Sequence, residues 1–86
     1  MTNDFDILKF RNLITDISSN YKLLRRDKTN KNIYEKEIML LKELKEILDS
    51  NLLPNDLFGK TLNFYYQYYR VTEGTYLPFK NSKSNN

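Results

Sequence analysis

Hydrophobic residues recur at spacings of three and four along the first third of the chain. The stripe comprises Ile7, Phe10, Leu13, Ile14, Ile17, Tyr21 and Leu24. This spacing places them on one side of a helix. Asp4 or Asn3 can accept hydrogen bonds from the amides of the first turn, and Arg25 and Arg26 suit the negative end of the helix dipole. The pattern predicts a first helix over residues 4–26.

A polar stretch from Asp27 to Asn32 follows and predicts a connecting turn. A second and broader apolar stripe then begins. Its members are Ile33, Tyr34, Ile38, Met39, Leu40, Leu41, Leu44, Ile47 and Leu48. A stripe of this width can face two neighbours at once, so the predicted second helix, over residues 32–50, should lie centrally. Pro54 cannot continue it, because proline lacks an amide proton and disfavours helical geometry at the preceding residue.

Pro54 instead suits the start of a third helix over residues 54–71, with Gly74 as its stop. The apolar side of this helix comprises Leu57, Phe58, Leu62, Tyr65 and Tyr69. Beyond Gly74, the aromatic residues Tyr76 and Phe79 flank Leu77 and Pro78. We expect an extended segment there that folds back on the bundle or engages a partner.

These elements predict an all-α protein, a small three-helix bundle with an extended aromatic segment and a disordered C-terminal tail. The expected organisation is a single helical domain over residues 1–79 and a flexible polar tail over residues 80–86. At 86 residues the chain is near the lower end of what folds without a disulfide or a metal.

The composition lacks most of the residue types on which enzyme catalysis depends. Cysteine, histidine and tryptophan are all absent, and there are only two glycines. Thiol chemistry, Cys/His zinc sites and a phosphate-binding glycine loop are therefore excluded, and no serine has a histidine to act as its base. We expect no enzyme activity, no cofactor and no metal site.

The start of the chain and its apolar content bear on location. Met1 to Asp6 contain two aspartates and no basic residue, which is typical of neither a secretory signal nor a basic presequence. No apolar run is long enough for a membrane span. Together with the lack of cysteine, this predicts an intracellular protein in the cytoplasm.

Helix three carries five aromatic residues in six positions around Gln67. Because consecutive helical residues are about 100° apart, the rings surround the helix and cannot all be core. Two interpretations stay open, a tyrosine-rich core and a contact face. The contact face leads to our first hypothesis, a non-catalytic module that binds a larger protein, with self-association as a variant. The predicted partner-binding residues are Tyr66, Tyr68, Tyr69, Arg70, Tyr76 and Phe79.

One stretch concentrates positive charge, whereas the whole chain has a net charge of only +3. This patch comprises Lys22, Arg25, Arg26, Lys28 and Lys31, against Asp27 alone. Nucleic-acid phosphates would be attracted to such a patch, and exposed tyrosines can stack on single-stranded bases. Nucleic-acid binding is the alternative hypothesis, and a solvated loop and helix end is the plainer interpretation.

The segment from Leu8 to Ile14 loosely resembles the Leu-Tyr-Arg opening of the first helix in small mitochondrial three-helix assembly factors. Phe10 and Arg11 match the Tyr-Arg pair. Lys9 stands where a leucine would precede them, and helix two lacks the expected phenylalanine and arginine. The resemblance implies, as a weaker alternative, an assembly factor that binds acyl carrier protein.

Overall fold

The computed structural model describes residues 5–75, which form three helices and, within that range, no strand. The helices are α1 (Ile7–Arg26), α2 (Lys31–Asp49) and α3 (Asn55–Thr75). All three pack together, which confirms the predicted all-α three-helix bundle. The predicted aromatic segment with Tyr76, Leu77 and Phe79 and the predicted tail over residues 80–86 lie outside the described residues. None of these three helices combines the length and apolarity that crossing a membrane requires.

Side-chain caps fix where the first two helices begin. Asp6 accepts a hydrogen bond from the amide of Lys9 at 3.1 Å, so α1 begins three residues after the predicted start at residue 4. Asn30 accepts one from the amide of Ile33 at 3.1 Å, and α2 begins one residue before its predicted start. In both cases a short polar side chain satisfies an amide that has no partner inside the helix.

The connection between α2 and α3 contains one residue in the left-handed region. Asn51 has a φ of 65°, which asparagine tolerates better than most other residues with a Cβ. Just before it, the Ser50 hydroxyl donates to the carbonyl of Ile47 at 2.6 Å and satisfies a free helix end. The Pro54 carbonyl then accepts from the amide of Phe58 at 2.8 Å. Helix α3 thus starts within one residue of the predicted position.

Asn51→Ala is expected to lower the free energy of unfolding by about 1 kcal/mol, because alanine carries a steric cost at positive φ. Asn51→Gly is the matched control and should leave stability unchanged or slightly raised, since glycine adopts this region freely. Urea denaturation followed by circular dichroism measures both. An equal loss in the two variants would show that the asparagine side chain, rather than the backbone conformation, holds the turn.

Helix α3 continues past the residue predicted to stop it. Gly74 lies within α3 and does not have a positive φ, so it forms no left-handed cap. Contacts to the rest of the bundle hold the last turn: Thr72 is fully buried, and the hydroxyl oxygens of Tyr21 and Thr75 are 3.4 Å apart. Such contacts outweigh the helix penalty of glycine, which is roughly 1 kcal/mol. The predicted end at residue 71 is therefore wrong.

Aliphatic side chains of α1 and α2 form the centre of the core. Ile17 and Leu24 of α1, and Leu41 and Leu44 of α2, are at most 1% exposed. Helix α2 packs more extensively on each of its neighbours than they pack on each other, in agreement with its broad stripe. Ile7 departs from the predicted first stripe, because it opens α1 at the end of the bundle and is half exposed.

Helix α3 contributes mostly partly buried rings and two threonines. The partly buried residues against the core include Leu57, Leu62, Phe64, Tyr65, Tyr68 and Tyr69. The prediction was wrong for Phe58, which is exposed. The buried residues of α3 are instead Thr61 and Thr72, of which Thr72 is fully buried. Thr61 satisfies its own hydroxyl by donating to the carbonyl of Leu57 at 2.8 Å.

One polar side chain from each helix is buried towards the C-terminal ends of α1 and α3. These are Asn20, Glu37 and Thr72, of which the last two have no exposed surface. The Asn20 amide donates to Glu37 Oε1 at 2.9 Å and to the carbonyl of Ile33 at 3.1 Å. Glu37 Oε2 and Thr72 Oγ1 have no hydrogen-bond partner among the described residues. Burial raises the pKa of Glu37 to about 7, although the Asn20 hydrogen bond acts in the opposite direction.

Candidate functional site

The predicted partner-binding residues do not share one surface. Four of them lie in α3, namely Tyr66, Tyr68, Tyr69 and Arg70. Because successive helical residues are about 100° apart, they point to different sides. Tyr68 packs against α1, Tyr69 lies on the α2 side, and Tyr66 is exposed. The other two, Tyr76 and Phe79, lie outside the described residues.

Tyr68 is part of the packing between α1 and α3. Its ring stacks on Phe64 with the centroids 4.5 Å apart, and it meets the ring of Tyr21 edge-on at 5.4 Å. Its hydroxyl accepts a hydrogen bond from Ser18 at 3.4 Å. Removing this ring would therefore disturb the bundle as well as any surface that it borders.

Tyr69 contributes to the packing between α2 and α3. Its ring stacks with that of Tyr65 at a centroid distance of 5.9 Å, and both rings are partly buried against the core. The Tyr69 hydroxyl hydrogen-bonds to the carboxylate of Glu73. This bond raises the pKa of Tyr69, because it holds the protonated phenol and the carboxylate charge disfavours the phenolate.

The outer face of α3 consists of Asn63, Tyr66, Gln67, Arg70 and Val71, which line one shallow depression. Tyr66 is 50% exposed and Val71 is 37% exposed. Arg70 is exposed and makes no hydrogen bond or ion pair with another described residue. The five positions follow the spacing of a single helix face. The same spacing in the sequence could have identified Asn63, Gln67 and Val71 as members of this face. The prediction omitted them because it selected residues by their aromatic character rather than by their spacing.

A second depression brings together residues that were predicted to belong to two different sites. This α1–α3 groove is lined by Ser18, Tyr21, Lys22, Arg25, Arg26 and Tyr68. Three of the residues come from the predicted basic patch, whereas Tyr68 comes from the predicted partner-binding set. They meet because positions three and four apart share one side of α1, and α3 runs beside that side.

The α1–α3 groove has positive charge that no residue within the range 5–75 neutralises. Lys22, Arg25 and Arg26 are exposed, and none of them forms a hydrogen bond or an ion pair with a described residue. None of the six lining residues is acidic. Asp27, the acidic residue of the predicted basic patch, accepts a hydrogen bond from the Asn30 side chain at 3.1 Å instead. The groove is therefore attractive to anions.

The remaining two cations of the predicted basic patch lie outside the groove. Lys28 belongs to the connection between α1 and α2, and Lys31 opens α2. Both are exposed, so they extend the positive surface beyond the end of α1 without lining the depression. The predicted patch of five cations thus divides into three that line the groove and two that do not.

A further depression lies between the first turn of α1 and the last turns of α2. Phe10 and Ile47 line it together with Lys9, Glu43 and Glu46. Exposed charges of both signs beside an apolar floor are typical of a solvated surface. Among residues 5–75, no three side chains of the types that ligate metals come together.

Comparison with protein-family models, with curated proteins and with solved structures gives no match for this chain. The resemblance of residues 8–14 to mitochondrial assembly factors stays a prediction. In the structure, Phe10 of that segment is buried in the core and Arg11 is exposed on α1.

Proposed function

We propose that the protein is a non-catalytic module that binds a larger protein through the outer face of α3 and thereby regulates, inhibits or assembles it. The observation that carries this proposal is the half-exposed Tyr66, one helical turn before Arg70, which has no hydrogen-bond or ion-pair partner among residues 5–75. Tyrosine and arginine are enriched among the residues that dominate binding energy at interfaces. The exposed Val71 adds apolar area that a partner would cover.

The outer face of α3 differs from the exposed surface of α2. Met39 of α2 is 68% exposed, but charged residues, including Glu35 and Lys36, line the same depression. In the outer face of α3, Arg70 is the one charged residue among five. Interface centres are depleted in lysine and glutamate and enriched in tyrosine and arginine. The α3 face therefore suits a protein partner better than the α2 surface does.

The chemistry of this face supports binding rather than catalysis. Its side chains are two amides, a phenol, a guanidinium and an aliphatic group. These include no carboxylate, imidazole, amine or thiol that could act as a general base at neutral pH. The cysteine-free sequence supports an intracellular partner.

The double variant Tyr66→Ala, Arg70→Ala is expected to weaken partner binding by at least about tenfold, because truncation of one hot-spot residue costs about 2 kcal/mol or more. The tagged full chain first captures the partner from nuclease-treated lysate of its native host. Calorimetric titration of the purified partner with wild type and variant then measures the loss. Tyr68 is left intact because it packs against α1.

The matched control is Lys36→Ala, Met39→Ala, which removes a cation and an exposed apolar side chain from α2. It should bind the partner like wild type. Equal losses in the two double variants would contradict the proposal, and so would full binding by the folded α3 variant. If the captured protein is a second copy of this chain, sedimentation equilibrium of the wild type alone will show a concentration-dependent mass.

A further inference from the structure

We propose that the α1–α3 groove binds the phosphate backbone of single-stranded nucleic acid, as a second function independent of the outer face of α3. Lys22, Arg25 and Arg26 bring three cations to one depression, and none of them is paired with another residue in the described part of the chain. Cations without a protein partner are free to replace the counterions that surround phosphates, which is the main source of affinity for nucleic acid.

Of the acidic residues that the structure describes, none lines this groove. Asp16 lies two residues before Ser18, which places it about 200° around α1 and hence on the other side of the helix. Asp27 is held by the Asn30 side chain at the end of α1. The charged side chains that line the groove are therefore all positive, although the whole chain has a net charge of only +3.

The groove also offers hydroxyl groups that can bind phosphate oxygens. Ser18 and Tyr68 share a hydrogen bond of 3.4 Å, and the Tyr21 hydroxyl is 3.4 Å from that of Thr75. Hydroxyl hydrogen bonds are normally shorter, with a mode of about 2.7 to 2.8 Å. A phosphate oxygen can therefore compete for these donors with little loss. The partly exposed rings of Tyr21 and Tyr68 supply apolar contact for a sugar or a base.

The positive surface is longer than one phosphate group requires. Arg11 lies three helical turns before Lys22 on the same side of α1, about 16 Å away at 1.5 Å per residue. Lys28 continues the positive surface beyond the other end of the helix. A row of this length fits a polyanion. A single strand fits better than a duplex, because its flexible backbone can follow a groove between two helices and its bases are free to contact tyrosine.

The test is the fluorescence anisotropy of a labelled oligothymidylate titrated with the full chain at several salt concentrations. The logarithm of the association constant should fall against the logarithm of the salt concentration with a slope of about −2, because three contacts to a single strand each contribute about −0.7. The variant Arg25→Glu, Arg26→Glu should bind at least about tenfold more weakly.

The matched control is Lys36→Glu, Lys42→Glu, which makes the same change in net charge on exposed positions of α2. It should stay within about threefold of wild type, because only the long-range field changes. Arg25→Gln, Arg26→Gln removes the same cations without placing negative charge at the end of α1. This variant keeps the test valid if the glutamates disturb the helix.

Absent or salt-independent binding would overturn the proposal, and so would equal losses in the α1 and α2 variants. Equal affinity for a duplex would overturn the preference for a single strand. Competition by polyglutamate as effective as that by unlabelled oligothymidylate would reassign the groove to acidic proteins. None of these outcomes affects the outer face of α3, because Arg25 and Arg26 are not part of it.

Discussion

Leu44→Asp is expected to unfold the protein. Leu44 is fully buried in the central helix α2, so aspartate would bury an unpaired charge and remove aliphatic contacts at once. The combined cost is about 5 kcal/mol or more, which is comparable to the whole stability of many small domains. Far-UV circular dichroism should show loss of most of the helical signal, and the cooperative thermal transition should disappear. Leu41→Asp, at a position 1% exposed, should behave in the same way.

Met39→Asp is the control for this prediction, since it makes a similar change on the same helix at a side chain that is 68% exposed. It should keep the helical spectrum and a cooperative transition. A helical, cooperatively folding Leu44→Asp protein would show that α2 does not occupy the centre of the bundle. Loss of structure in the Met39 variant would indicate that any negative charge on α2 is harmful.

The free energy of unfolding is expected to fall as the pH rises from about 4.5 to about 7. Burial raises the pKa of Glu37 from 4.5 to about 7. Between these values the folded protein keeps a proton that the unfolded chain has released, so each increase in pH favours unfolding. The gap between the two pKa values corresponds to roughly 3 kcal/mol. Below about pH 4.5 ionisation of Glu37 does not lower the free energy of unfolding, and above about pH 7 it lowers it by a constant amount.

Glu37→Gln should remove this dependence, because glutamine stays neutral and its oxygen can still accept the hydrogen bond from Asn20. At about pH 8 the variant should melt roughly 15 °C above the wild type, and at about pH 4.5 the difference should nearly vanish. Thermal denaturation across this pH range measures both. Glu35→Gln, at an exposed position on the same helix, is the control and should follow the wild-type profile. Parallel profiles for wild type and Glu37→Gln would rule out Glu37 as the titrating group.

The three helices could be predicted because apolar spacing is a property of the whole segment and survives single exceptions. Their ends were harder to predict, since an end depends on individual hydrogen bonds. The start of α1 shows this, because several polar residues near it could cap a helix and Asp6 is the one that does. Gly74 shows the opposite case. Glycine favours the end of a helix, but contacts between the last turn of α3 and the rest of the bundle outweigh that preference.

The burial of Asn20 and Glu37 was not predicted, because amide and carboxylate side chains are usually exposed to solvent. Their positions contained the contrary signal. Asn20 lies three residues after Ile17 and four before Leu24, and Glu37 lies four before Leu41. All three of these apolar neighbours are buried. Spacing therefore located the core better than polarity did, but the Asn20–Glu37 hydrogen bond joins two helices and could not be inferred from either one.

The candidate surfaces were predicted only in part, for a similar reason. A run of tyrosines surrounds its helix, and only the positions of α1 and α2 decide which rings are covered. The structure leaves Tyr66 exposed and packs Tyr68 beside Tyr21. That second contact creates the α1–α3 groove, which joins residues about fifty positions apart along the chain and so had no signature in either local pattern.

The hydrogen bond between Asn20 and Glu37 has a consequence for the alignment of α1 with α2. The apolar stripe of α2 is built largely from leucines one turn apart, and such a stripe would pack nearly as well if α2 slid by one turn, about 5.4 Å. After that slip the Glu37 carboxyl group would leave the Asn20 amide and stay buried without a partner. The Asn20–Glu37 pair therefore disfavours packing of α1 and α2 in a shifted alignment. A single buried asparagine fixes the register of coiled coils in the same way.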